Sequence, residues 1–231
     1  MQNCLNDKLP VKPDLIIFDL DGTLYDQKKL RSLLKRNLLF RFITLRIRFL
    51  DFRIISYFRK QRELLKSYHS DRLLEEQFER CATALGVTPE RVRKSIETYM
   101  FHLPLQFLRH TKYEGVDTFF TMLRRKKIKT AIYSDYPVKE KLKVLELVAD
   151  AVYCSTDKAI GQLKPSLKAL HYICAEMGST VANTVYIGDR DDTDGEGARL
   201  AGISFIPVDR KKAVKGMFYS ELSELFTTDD E

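Results

Sequence analysis

The sequence predicts an α/β protein: a doubly wound, Rossmann-like parallel sheet with an inserted all-α unit. Three observations predict it. Short β-branched apolar runs alternate with segments of helical period, as in parallel strands joined by crossover helices. Several of these runs end in acidic or hydroxyl residues rather than in hairpin turns. Residues 26–110 interrupt the alternation with helical-period sequence that contains a single glycine, Gly86.

The first strand, Leu15–Leu20, runs into Asp19-Leu20-Asp21-Gly22-Thr23-Leu24. Side chains of an extended chain alternate, so Asp19 and Asp21 are expected on one side, and Gly22 lets the chain leave the strand sharply. Ligands of open α/β sheets bind at the carboxyl ends of the strands. A pair of acids there can hold a hard cation, and one of them can attack an electrophile. The insertion reads as four or five helices, with Gly86-Val87-Thr88-Pro89-Glu90 stopping one and starting the next. A second strand, Ile128–Ser134, ends at Ser134-Asp135 and leads to a helix over Val138–Val148 and a strand over Ala151–Ser155. Lys164-Pro165 opens a helix over Ser166–Met177, with Pro165 suited to the first helical position. The strand Thr184–Asp189 runs into Gly188-Asp189-Arg190-Asp191-Asp192-Thr193-Asp194-Gly195. A helix over Asp194–Leu200, a strand over Ile203–Val208 and a polar tail from Thr227 complete the chain.

These four motifs, in this order, resemble those of the haloacid dehalogenase superfamily. The resemblance implies a catalytic core of residues 1–25 and 111–231, and a helical cap of residues 26–110 that closes over the site and selects substrates. It implies that Asp19 is the nucleophile, forming an aspartyl-phosphate, and that Asp21 is the general acid/base, its backbone carbonyl also a magnesium ligand. Partial burial and nearby carboxylates are expected to raise the Asp21 pKa above that of a free aspartate. Ser134 and the N–H of Asp135 are assigned to the phosphate. The Asp135 carboxylate departs from the family pattern, and should point away from phosphate or contact the cap. Lys164, preferred over Lys158, neutralises the phosphoryl group. Asp19, Asp21, Asp189 and Asp194 form the metal set, with Asp192 an alternative to Asp194 and Asp191 solvated. An all-oxygen set suits Mg2+ rather than zinc. Gly195 and Gly197 have the wrong spacing for a dinucleotide loop.

At 231 residues, 44% hydrophobic and 31% charged, the chain fits one sizeable core, or a core plus a small accessory unit. Cys4, Cys81, Cys154 and Cys174 lack metal or disulfide spacing and suggest reduced thiols in a cytoplasmic protein. Met1–Pro13 has no apolar signal region. The four histidines are scattered. The net charge of +7 is concentrated in the insertion, where 19 Lys and Arg face 9 acids; a basic lid could attract an anionic substrate. Arginines within Leu38–Phe58 exclude a membrane span. On one helical wheel Ile43, Ile47, Leu50, Ile54 and Phe58 share a face. Residues 36–62 therefore read as a packed cap helix, a membrane-surface helix or a dimer contact.

The expected activity is a magnesium-dependent phosphatase on a small phosphorylated metabolite. A phosphomutase is the alternative on the same fold, and a binding protein using its basic cap on anionic partners or membrane surfaces is the rival from another class. Asp21 disfavours a dehalogenase, whose chemistry has no leaving alkoxide to protonate. Nucleic acid rests on charge alone and is not expected as a partner.

Overall fold

The computed structural model describes Pro10, residues 13–43 and residues 48–227. The chain runs β1 (Leu15–Phe18), α1 (Gln27–Ile43), α2 (Phe49–Leu64), α3 (Leu73–Leu85), α4 (Pro89–Ile96), a π-helical turn (Glu97–His102) and α5 (Leu105–Leu108). There follow α6 (Val116–Arg125), β2 (Lys129–Ser134), α7 (Lys139–Leu145), β3 (Ala151–Cys154), α8 (Leu167–Glu176) and β4 (Thr184–Gly188). A π-helical turn (Asp191–Gly195), α9 (Glu196–Ala201), β5 (Ser204–Pro207), α10 (Arg210–Val214) and α11 (Met217–Leu225) end it.

The five strands form one parallel sheet in the order β3-β2-β1-β4-β5. β1 is central, with Leu15 opposite Lys129 on one side and Thr184 on the other. Strand order changes direction between β1 and β4, so their carboxyl ends flank the crevice where such sheets bind ligands.

Both faces of β1 are buried, which explains its unbroken apolar run. Ile16, Phe18 and Leu20 face a core built with Phe119, Phe120 and Leu123 of α6 and with Phe218 and Tyr219 of α11. Leu15 and Ile17 face the other layer, with Leu170 and Ile173 of α8 and Ala198 of α9. The Phe18 ring stacks on Phe120 at 4.8 Å and meets Phe119 edge-on at 6.1 Å. Burying such a ring stabilises the fold by about 2–3 kcal/mol.

The chain leaves the sheet and returns at one place: Tyr25 and Lys112 pair as an antiparallel bridge, and Asp26 N–H donates to the Thr111 carbonyl at 2.8 Å. Between these points α2, α3 and α4 bury a separate apolar cluster of Ile54, Phe58, Phe78, Cys81, Val92 and Ile96. Gly86 ends α3 in the left-handed conformation, and Thr88 caps α4 by accepting from Arg91 N–H, with Pro89 next, as the sequence pattern indicates. A second strap runs from the insertion to the loop after β3, where His69 pairs with Gln162 and Ser70 N–H donates to the Gly161 carbonyl at 2.9 Å.

Several local expectations are corrected. Pro165 is not the first helical residue: Ser166 is the N-cap of α8, its hydroxyl accepting from Ala169 N–H, and the helix begins at Leu167. The helix expected over Val138–Val148 stops at Leu145, because Glu146 turns left-handed. The expected Asp194–Leu200 helix opens as a π-helical turn over Asp191–Gly195. The single apolar face through Ile43, Ile47, Leu50, Ile54 and Phe58 does not exist as one helix. α1 ends at Ile43 and α2 starts at Phe49, where Asp51 accepts from Arg48 N–H and fixes a new N-terminus. Ile47, the N-terminal stretch apart from Pro10 and Pro13, and residues 228–231 lie outside the described residues.

Candidate active site

Asp19 lies one residue beyond β1, and its N–H continues the ladder to the Ile187 carbonyl of β4 at 2.9 Å. That bond fixes its backbone, and two side chains fix its carboxylate. Thr23 Oγ1 donates to Oδ2 at 3.0 Å and Lys164 Nζ donates to Oδ1 at 2.7 Å. Lys164 also donates to Asp194 Oδ1 at 2.9 Å, which the Tyr186 hydroxyl meets at 2.8 Å. The ammonium sits 4.8 Å from the Tyr133 ring centroid and 5.4 Å from that of Tyr186, both negative π faces. Lys158 is exposed on the same loop and takes no part in these contacts.

Asp189 follows β4 directly, and one oxygen each of Asp19, Asp189 and Asp194 lie within 4.8 Å of one another. The approach depends on Gly22 and Gly188. Gly22 has φ 109°, and a Cβ there would collide with the Asp189 carboxylate; a Cβ on Gly188 would sit 2.6 Å from the Asp194 Cβ. Lys164 is the ammonium held among these three acids. Burial raises the Asp19 pKa, Lys164 opposes that, and the Asp194 and Asp189 carboxylates add to it, leaving Asp19 at about 7. Shielding from solvent and then the Asp194 charge push Asp189 up to about 6; because Asp189 faces the open side, the second cause is the firmer. Burial alone would lower the Lys164 pKa, but Asp19 and Asp194 hold it well above the usual lysine value. A cluster of this kind, with only oxygen donors and an excess of carboxylates, fits a hard divalent cation such as Mg2+.

Asp21 lies beside this cluster in a different environment. Its Oδ1 accepts from Lys141 Nζ and from the Tyr25 hydroxyl, and Ser134 Oγ approaches Oδ2 at 3.5 Å. Burial would raise the Asp21 pKa, but the Lys141 ammonium and the two donors outweigh it and hold the carboxyl below its usual value. The expected upward shift is therefore reversed, because the nearest charged neighbour is a lysine.

Ser134 ends β2, and its hydroxyl oxygen accepts from Tyr136 N–H at 3.2 Å. The Asp135 carboxylate turns away from Asp19 and toward the Lys164 loop, accepting from Ser155 Oγ at 2.5 Å and from Lys164 N–H at 3.0 Å. It thereby positions the lysine backbone. Asp192 pairs at the surface with Arg190 at 2.7 Å, and Asp191 with Arg199 at 2.8 Å. Of the two alternatives, Asp194 is the acid inside the cluster.

Several residues join the site unpredicted, among them Thr23 on Asp19 and Tyr186 on Asp194. Tyr25 and Lys141 bind Asp21, and Arg62 arrives from α2 of the insertion. Buried Arg62 donates to the Asp135 carbonyl and, at 3.0 Å, to Gln77 Oε1, with its guanidinium 4.4 Å from the Tyr136 ring centroid. Lys141 carried a legible signal: it stands three residues after Val138 and four before Leu145, on the apolar face of its helix. Arg62 had none beyond its place in a basic segment.

Comparison with known proteins places the fold and family. A family model described as haloacid dehalogenase-like hydrolase matches residues 13–202. The chain is 26% identical over 200 residues to a glyceraldehyde 3-phosphate phosphatase of Methanopyrus kandleri, covering 85% of this chain and 84% of that protein. Two solved structures share the fold: a 2-haloacid dehalogenase of Pseudomonas syringae (TM-score 0.62, 15% identity, 94% and 99% of the two chains) and a HAD-hydrolase of Bacillus subtilis (TM-score 0.63, 16% identity, 93% and 99%). With the match spanning most of the sequence and the acids of its motifs at the carboxyl ends of β1 and β4, the chain belongs to the haloacid dehalogenase-like hydrolase family.

Proposed function

We propose that this hydrolase is a magnesium-dependent phosphatase acting on a small phosphomonoester, with Asp19 as nucleophile and residues 26–110 as a cap. The observation that carries the reading is the Asp19–Lys164–Asp194 cluster with Asp189 alongside. A phosphatase relative that covers similar shares of both chains supports the substrate class. The unbridged thiols of Cys81, Cys154 and Cys174 fit a reducing compartment such as the cytoplasm.

Asp19, Asp189, Asp194 and the Asp21 carbonyl would hold the cation, which supplies charge neutralisation for the carboxylates and the phosphoryl oxygens. Lys164 and Thr23 orient the Asp19 carboxylate. Its free electron pair attacks phosphorus as the ester P–O bond breaks, giving an aspartyl-phosphate and an alkoxide. Ser134 accepts from Tyr136 N–H, and its own O–H makes only a long 3.5 Å contact to Asp21 Oδ2, which a phosphoryl oxygen would replace. In the free site Lys141 keeps Asp21 ionised, ready to take a proton from the water that hydrolyses the intermediate. For the first step the incoming phosphate competes for Lys141. Losing that partner lets Asp21 take up a proton from solvent or from the substrate's phosphate monoanion and deliver it to the alkoxide; the Asp21 carboxylate so regenerated then takes the proton of the water that hydrolyses the aspartyl-phosphate. Arg62 ties the cap to the Asp135–Tyr136 peptide beside the phosphate position.

The test is phosphate release from p-nitrophenyl phosphate and a panel of phosphorylated sugars and acids, with magnesium and with EDTA. Magnesium-dependent release that vanishes in Asp19→Asn supports the reading. Release that persists in Asp19→Asn contradicts it.

A further inference from the structure

The end of α1 and the start of α2 are, in their described residues, basic and apolar at once. From residue 27 to 62 the sequence carries twelve Lys and Arg and one acid, Asp51. Asp51 is buried, accepting from Ser95 Oγ at 2.6 Å and pairing with Arg91 at 2.6 Å, so it offsets none of the surface charge. Only Leu30 of α1 is buried, next to the sheet; the far end of the helix carries its large side chains into solvent. Leu39 is 60% exposed, Phe40 58%, Ile43 70% and, at the start of α2, Phe49 69%. Phe42 braces the two helices, its ring edge-on to Phe52 at 5.6 Å. Arg36, Arg48 and Arg53 are exposed around this patch, and none of the three forms an ion pair with a carboxylate among the described residues.

We propose that this patch docks the protein onto an anionic bilayer surface. Leu39, Phe40, Ile43 and Phe49 enter the boundary between headgroups and acyl chains, while the arginines meet lipid phosphates and carboxylates. Apolar insertion and charge attraction act together in such contacts. The chemistry of the patch argues against other occupants. A second copy would press two strongly cationic faces together. A nucleic acid would engage the arginines but leave the phenylalanines and isoleucine in water. No helix among the described residues is long and apolar enough to cross a membrane, so the contact is peripheral. The cytoplasmic leaflet, being anionic, presents the matching surface.

Vesicle flotation with the full chain tests this without recourse to turnover, so its outcome stands apart from that of the proposed reaction. At about 0.15 M salt, the protein should float with phosphatidylcholine–phosphatidylserine vesicles about tenfold more than with phosphatidylcholine alone. The triple variant Phe40→Ser/Ile43→Ser/Phe49→Ser should lose this binding while keeping its thermal melting transition. Arg36→Glu/Arg53→Glu, which alters only surface charge, should lose it independently of any folding effect of the first variant. Failure of the wild type to bind anionic vesicles overturns the proposal. So does wild-type binding by the serine variant, concentration-dependent dimerisation that the serine variant abolishes while vesicles are ignored, or retention of RNA in place of vesicles.

Discussion

Two buried acid–base clusters in this molecule are built in opposite ways. In the insertion, Asp51 accepts from Arg48 N–H, Ser95 Oγ and Arg91, and these donors outweigh burial to hold its carboxyl below the usual value. At the carboxyl ends of β1 and β4, one ammonium, Lys164, serves Asp19 and Asp194 with Asp189 close by, and Asp19 rises to about 7. The first cluster is balanced by its own donors and staples α2 to α4. The second is left with surplus negative charge, at a cost in stability that a structural site would have no reason to bear. The difference separates a carboxylate that holds the fold from carboxylates whose surplus charge suits the proposed cation and phosphate.

The sharpest way to break the comparison is Lys164→Ala, which removes the ammonium joining Asp19 and Asp194. Turnover should fall by about 10³-fold or more, measured as magnesium-dependent phosphate release. Next in size is Lys141→Met, expected to lower kcat/KM by about 10²-fold by releasing Asp21. Combined with Asp21→Asn it should add little, since the two act as one unit. Additive losses would show that Lys141 works elsewhere.

Asp51→Asn tests the balanced side. It should leave turnover per folded molecule intact and destabilise the protein by about 1–2 kcal/mol at neutral pH, through the weakened contacts to Ser95 and Arg91. Because the folded pKa of Asp51 is depressed, its contribution is complete above the unfolded value of about 4 and fades as pH falls through the folded one. Denaturant midpoints of wild type and variant should therefore converge in acid; a gap that persists at low pH would mean the aspartate acts by packing alone. The smallest effect belongs to Asp192→Asn, whose exposed pair with Arg190 contributes no more than about 0.5 kcal/mol. Activity within about twofold of wild type is expected, and a large loss would return Asp192 to the metal set.

What could be read from the sequence follows the distance over which each feature is written. Asp19, Ser134 and Asp189 stand at the ends of strands whose apolar runs are local, so their convergence on one sheet edge follows from parallel topology. The family resemblance puts Asp194 ahead of Asp192, and the π-helical turn supplies the physical reason by turning the Asp194 side chain inward. The direction of the Asp21 shift is not written locally, because its controlling partner is 120 residues away. Arg62 grips a peptide 73 residues distant from a helix whose period identifies a buried face but not what the face meets. The break between α1 and α2 was hidden because the apolar period carries through it, while Asp51, the acid that starts the new helix, reads as one polar residue among many.

The central claim is that Asp19, in the charge-surplus cluster, forms the covalent intermediate. Acid-quenched single turnover with a phosphomonoester and magnesium, followed by peptide mass analysis, tests it directly. A phosphoryl adduct on the peptide holding Asp19, absent in Asp19→Asn, is predicted. Full turnover with no adduct on that peptide, or an adduct that survives the substitution, would contradict it.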